Sequence, residues 1–147
     1  QQEVTIAPSR TKIGVGEVRL SQQAKDNVNA ALDANRLSYG VFAKRFETEF
    51  ARLHGRLFAA YMNSGTSALQ VGLAALKEYY GWKNGDEVLV PALTFVASYN
   101  TIVQTGLKPV LVDIRMSDYG IDPALLKVSK RSVAVMPVHL LVVPRPR

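Results

Sequence analysis

"MNSGTSALQ", residues 62 to 70, sets small and hydroxylic residues between an apolar run, LFAAYM (57–62), and a helical pattern, SALQVGLAALKEYY (67–80). An apolar run, a glycine turn and then a helix read as a strand feeding a helix. In the first turn of a helix the backbone N–H groups have no partners within the helix, and the dipole adds partial positive charge. Gly65 lets the chain pass close to a ligand, and the hydroxyls of Ser64, Thr66 and Ser67 can donate hydrogen bonds. Together these suit a phosphate. On the pentapeptide alone, a well-capped helix without a ligand is the simpler reading. Neither G-x-x-x-x-G-K-[ST] nor G-x-G-x-x-G is present, so this is not a Walker loop or a dinucleotide fingerprint.

Outward from this stretch the pattern alternates. EVLVPA (87–92) follows the turn Gly85-Asp86 as a strand, FVASYNTIVQT (95–105) reads as a helix ended by Gly106, and KPVLVDI (108–114) is a third strand. A short helix starts at Asp122-Pro123, an N-cap followed by proline, and SVAVMPVHLLVV (132–143) is a fourth strand. Upstream, Ser21 caps a helix over 21–35, and Phe42, Phe46, Phe50 and Leu53 form a helical stripe read as core packing. His54 and Gly55 close that second helix. Apolar strands alternating with helices predict an α/β fold, a mostly parallel sheet with helices on both faces. Ligands of such sheets bind at the carboxyl ends of the strands. Both NSGTS and the start of the 95–105 helix lie at that edge. Phe95 there is open to two roles, core packing or stacking on a planar ring beside the phosphate.

The bulk composition is that of a soluble globular chain: 147 residues, 48% hydrophobic and 20% charged. Without cysteine there is no disulfide framework and no cysteine-ligated metal site. The net charge of +6 is concentrated at the C-terminal end, where residues 123–147 hold five cations and no acid. Residues 1–122 carry thirteen cations against twelve anions, which argues against a dedicated nucleic-acid binder. No signal peptide and no membrane-spanning run is visible, and the expected location is the cytoplasm. The start at Gln1 rather than methionine reads as a fragment or a processed product. Asp113, Asp118 and Asp122 do not form a metal set, and Lys77 and Lys83 read as solvated helix-end charges.

The ordered segments LSYGVFAKRFETEFARLHG, NSGTSALQVGLAAL, GDEVLVPALTFVAS, GLKPVLVDI, YGIDPALL and VMPVHL resemble the DegT–DnrJ–StrS family over about residues 10 to 140. These are pyridoxal 5'-phosphate-dependent aminotransferases acting on keto-sugars, mostly nucleotide-linked. The resemblance implies the large domain of a fold-type I aminotransferase, of which residues 1–147 would be one partial domain. It points to Gly65, Thr66 and Ser67 as holders of the cofactor phosphate and to Phe95 as the residue stacking on the pyridine ring. By the same analogy Tyr39 and Gly40 lie near the active site or the dimer partner. His139, near a strand's carboxyl end, could approach the site. The resemblance further implies glutamate or glutamine as amino donor, a role in cell-surface polysaccharide biosynthesis, and homodimers sharing active sites.

None of the eight lysines lies in a segment matching the family's catalytic lysine. That lysine, and the acid that pairs with the pyridine nitrogen, follow the PVHL strand in family members. Here LVVPRPR stands after His139-Leu140, and residues 141–147 read as an aberrant basic tail left by truncation or frameshift. The expectation is therefore a chain with no catalytic residue of its own. Two other readings remain open: the family fold without aminotransferase chemistry, as in a dehydratase or a binding module, and a non-functional fragment.

Overall fold

The computed structural model describes residues 20–35 and 37–140. The chain divides into two compact units, Gln1–Leu57 and Phe58–Arg147. The first holds helices α1 (Gln22–Asp33) and α2 (Val41–Leu53). Ser21 caps α1 as expected, its Oγ accepting from the Ala24 N–H at 3.1 Å. Ala24, Val28 and Ala31 of α1 and Phe42 and Phe46 of α2 line a shallow groove. The phenylalanine stripe is not the core expected of it. Phe42, Phe46 and Phe50 are 39%, 51% and 45% exposed, and Ala51 is the buried residue of α2. The rings stack along their own helix instead, Phe46 on Phe50 at 5.5 Å and Phe50 on His54 at 4.3 Å. Helical spacing marks a face to be covered but carries no information about what covers it.

The second unit holds α3 (Gly65–Tyr80), β1 (Glu87–Pro91), α4 (Val96–Gln104), β2 (Lys108–Val112), a 3₁₀ turn (Pro123–Leu125) and β3 (Ser132–Val135). The sheet is parallel, in the order β2-β1-β3. Val88 and Val90 share one face of β1 and pack with Leu73 of α3, Ile102 of α4 and Leu107. Leu89 points the other way and is also buried, so the central strand is shielded on both faces, as parallel strands require. The β1–β3 register shifts after Glu87, which faces Ser132 while Val88 faces Ala134.

Three of the four expected strands form. LFAAYM does not: Leu57 and Phe58 are 90% and 87% exposed, and no sheet partner for 57–62 exists among the described residues. A strand exists only with a neighbour to take up its backbone N–H and C=O groups, and 57–62 pairs with neither edge of the sheet. The 108–114 strand stops at Val112, and Ile114 makes an isolated antiparallel bridge to Ile121. The last strand ends at Val135, with one further bond from the Met136 N–H to the Leu89 carbonyl. Its expected positions 141–143 and the basic tail 141–147 lie outside the described residues.

Lys77 is not the solvated charge that its place near a helix end implied. It is half-buried, and its Nζ donates to the Thr105 carbonyl at 2.6 Å and to Asn84 Oδ1 at 2.5 Å, tying the ends of α3 and α4 to the turn before β1. Hydrogen bonds from a charged donor are each worth about 1.5–3 kcal/mol. Lys77→Met, which keeps the aliphatic stem, is expected to lower the unfolding free energy by about 1–3 kcal/mol in urea titration. An unchanged midpoint would mean that the ammonium group is solvated after all.

The loop after β2 stores strain at one residue. Tyr119 sits at φ 55°, a left-handed conformation in which a bulky side chain crowds the following carbonyl. The loop holds it there through the Tyr119 N–H to the Arg115 carbonyl (2.9 Å) and the Arg115 N–H to the Gly120 carbonyl (2.9 Å). Asn35 occupies the same region (φ 50°) with a side chain that tolerates it. Tyr119→Asn should therefore stabilise the chain by about 1 kcal/mol, read as a raised thermal midpoint. A lowered midpoint would show that the tyrosine ring contributes more packing than its backbone costs.

Candidate functional site

Helix α3 begins at Ser64, which has an extended backbone (φ −157°, ψ 159°) and serves as the N-cap. Its Oγ accepts from the Ser67 N–H at 3.1 Å and donates to Ser67 Oγ at 3.0 Å, while its carbonyl takes the Ala68 N–H at 3.0 Å. The Ser64 hydroxyl, expected as a ligand donor, is thus used within the cap. The N–H groups of Gly65 and Thr66 have no acceptor among the described residues. Thr66 is exposed and Ser67 half-buried, so the Thr66 hydroxyl and the Ser67 hydroxyl proton remain available. Gly65 is not at positive φ, and a Cβ built there meets no atom within 4 Å. The fold itself has no need of glycine at this position.

Phe95 is the N-cap of α4 and is 69% exposed, so it takes no part in the core formed by the described residues. The Lys77–Thr105 bond shows that α3 and α4 bring their C-terminal ends together beside the start of β1. From that level α3 runs back about 18 Å to Gly65 and α4 about 15 Å to Phe95, at 1.5 Å per residue. Both N-termini therefore lie at the carboxyl end of β1, which brings Gly65, Thr66, Ser67 and Phe95 to one end of the unit. Unpaired N–H groups at a helix start suit a phosphate, and an exposed aromatic ring suits the flat face of a planar ligand.

The remaining expected residues lie on other elements. Tyr39 and Gly40 belong to the first unit. The Tyr39 hydroxyl donates to Glu47 Oε2 at 2.5 Å, and that bond, with partial burial and the adjacent negative charge, holds the phenol above its usual range. Gly40 caps α2 with ordinary extended backbone. His139 is exposed and lies past the carboxyl end of β3. Asp122 caps the 3₁₀ turn through the Ala124 N–H (3.0 Å), Asp118 pairs with Arg115, and Asp113 accepts from the Ile114 N–H (2.8 Å). Glu87 lies at the opposite, amino edge of the sheet. Its carboxyl is held below the usual range first by the Ser129 hydroxyl at 2.6 Å and then by the Lys108 ammonium at 3.0 Å.

Sequence reading passes over Thr94 and Ser98, whose hydroxyls lie 2.9 Å apart astride the start of α4. The available signal was two hydroxylic residues four apart, displaced by one position from where a capping side chain is normally sought. Among the described residues no helix is long and apolar enough to cross a membrane.

A model of the DegT/DnrJ/EryC1/StrS aminotransferase family matches residues 18–144. GDP-perosamine synthase of Caulobacter vibrioides is 39% identical over 132 residues, covering 88% of this chain and 34% of the relative. Among solved structures, the Escherichia coli GDP-4-keto-6-deoxy-D-mannose-3-dehydratase with bound hydrated PLP (pyridoxal 5'-phosphate) superposes with a TM-score of 0.77. It is 28% identical, over 84% of this chain and 33% of that one. An aminotransferase from Psychrobacter cryohalolentis gives a TM-score of 0.72 and 34% identity over 83% of this chain and 31% of its own. The chain spans about a third of the length of the curated relatives it matches.

Proposed function

Since the chain belongs to the DegT/DnrJ/EryC1/StrS aminotransferase family, we propose that residues 1–147 form the amino-terminal, cofactor-phosphate-binding part of a pyridoxal 5'-phosphate-dependent sugar aminotransferase. The whole protein would act on a nucleotide-linked keto-sugar with glutamate or glutamine as donor. It would do so as a cytoplasmic homodimer, in amino-sugar supply for cell-surface polysaccharide. What supports this reading is the pair of features at the starts of α3 and α4: N–H groups of Gly65 and Thr66 with no acceptor among the described residues, and the exposed Phe95.

In this reading the Gly65 and Thr66 N–H groups and the Thr66 and Ser67 hydroxyls hold the phosphate dianion, with the α3 dipole adding to the attraction. Gly65 keeps the approach open because no side chain stands there. Phe95 packs against one face of the ring and excludes water from it. Bound pyridoxal phosphate supplies the electron sink that lets an amino group leave the donor and join the keto carbon. No residue of this chain is assigned as catalytic. In this reading the catalytic lysine and the pyridine-pairing acid would follow the 132–140 segment in the whole protein.

The test is equilibrium binding of pyridoxamine 5'-phosphate and of pyridoxamine to the full chain. Both are amines and do not condense with surface lysines. The phosphate-bearing compound should bind at least about tenfold tighter, the effect of one to two charge-assisted hydrogen bonds. Equal affinities, or no binding of either, would remove the reading. A second reading, a 3-dehydratase, is favoured by the likeness to the Escherichia coli dehydratase. It shares the phosphate cradle and differs at the residue in the lysine position. In a longer protein that carries this position, stoichiometric release of an oxo acid from glutamate with appearance of an amino-sugar would separate the two.

A further inference from the structure

Phe95 stands where the fold alone would not put it. N-cap positions favour Ser, Thr, Asp and Asn, whose oxygens accept the orphan N–H groups of the first turn. Phenylalanine offers no such oxygen, and α4 has no side-chain cap bond at its N-cap. The ring is also largely exposed. Two local preferences are thus broken at one residue, a pattern expected where function rather than stability selects the side chain.

Instead of a cap, a hydroxyl pair spans the start of the helix. Thr94 precedes the cap and Ser98 is the third residue of the helix, and their Oγ atoms are 2.9 Å apart. Ser98 and Thr101 are the two buried polar side chains among the described residues. The Thr101 hydroxyl is satisfied within α4, donating to the Ala97 carbonyl at 2.8 Å. The Ser98 backbone N–H already bonds the Phe95 carbonyl at 3.0 Å, and the Ser98 hydroxyl pairs with Thr94. On the other side of the turn the Ala92 N–H bonds the Val112 carbonyl at 2.8 Å. The chain is therefore fastened on both sides of Phe95.

We propose that the Thr94–Ser98 hydroxyl pair is a positioning device, fixing the turn that presents Phe95 to the flat ring of a pyridoxal-type cofactor. The proposal rests on the role given to Phe95 above. A ring whose backbone is already ordered loses less freedom when a ligand stacks on it. The pair touches no cofactor atom in this account, so Thr94 and Ser98 are positioning residues.

The experiment uses the full chain and pyridoxamine 5'-phosphate, with affinity from calorimetry and ring geometry from the circular dichroism induced in the pyridine absorption band. Thr94→Val keeps the shape and removes the hydroxyl, and it is expected to weaken binding about three- to tenfold and to reduce the induced signal. Ser98→Ala should do the same, and the double variant should be no worse than either single one. Thr94→Ser should behave as the parent chain. If Thr94→Val does not fold, Ser98→Ala makes the same comparison without burying an unpaired hydroxyl. A parent-like affinity and induced signal in these variants, with only a lowered melting midpoint, would overturn the positioning role while leaving the cofactor reading in place. Additive losses in the double variant would also overturn it. Failure of the parent chain itself to bind pyridoxamine 5'-phosphate would instead bring down the cofactor reading, and this inference with it.

Discussion

Replacing Ile102 by alanine is expected to cost the sheet-bearing unit about 2–5 kcal/mol, the range for truncating a fully buried aliphatic side chain. Ile102 is 0% exposed and stands in the middle of the cluster formed by Leu73, Val88, Val90 and Leu107. Its removal withdraws contacts from α3, β1 and the approach to β2 at once. Ordinary domains are stable by only about 5–15 kcal/mol, so the loss is a large fraction of the total and should move the denaturant midpoint well down. Trp82, the single tryptophan of the chain, packs against the same cluster and reports the transition by fluorescence. Ile102→Val, which leaves most of the volume filled, should lose only about 0.5–1.5 kcal/mol. A loss below that figure for alanine would show that the cluster is not the core of this unit.

Gly65→Asp should move stability and ligand affinity in opposite directions. A carboxylate in the first turn of α3 interacts favourably with the helix dipole, by about 0.3–1 kcal/mol at an exposed site. Replacing glycine also removes part of the chain entropy lost on folding, and open space awaits the new side chain. The thermal midpoint should therefore rise. A carboxylate facing a phosphate about 4 Å away near the surface costs several kcal/mol. The affinity for pyridoxamine 5'-phosphate should fall at least about a hundredfold, with part of the loss recovered at high salt. If the variant bound the ligand as the parent does, the anion would not sit at this helix start. A lowered midpoint would mean that Gly65 has a structural role that its surroundings do not reveal.

The elements that could be read from sequence are those whose determinants are local. The caps at Ser21 and Asp122 and the helical periodicity fall where one turn of backbone decides the outcome. The buried run Val88–Pro91 announces a central parallel strand by itself. The readings that failed needed information from elsewhere. Leu57–Met62 has the composition of a strand but no ladder partner among the described residues, and the phenylalanine stripe of α2 has an apolar face whose cover is not in the pattern. Lys77 looks like any exposed helix lysine until a carbonyl 28 residues away comes within 2.6 Å of its ammonium group. At the candidate site, the residue types at 64–67 and 95 were legible. The division of labour was not: whether Ser64 binds a ligand or caps the helix depends on where its oxygen turns, and the structure turns it to Ser67.

The order β2-β1-β3 also carries a temporal consequence. The first parallel ladder joins Glu87–Pro91 to Lys108–Val112 across a single helix, whereas Ser132–Val135 must return past β2 and the 113–131 connection to reach the other side of β1. Closing the nearer ladder spans less chain and loses less entropy. On a ribosome the segment up to Val112 emerges before β3 does. The hydroxyl pair at Thr94 and Ser98 lies inside that early-closing unit. The aromatic end of the site can thus be assembled before the third strand emerges.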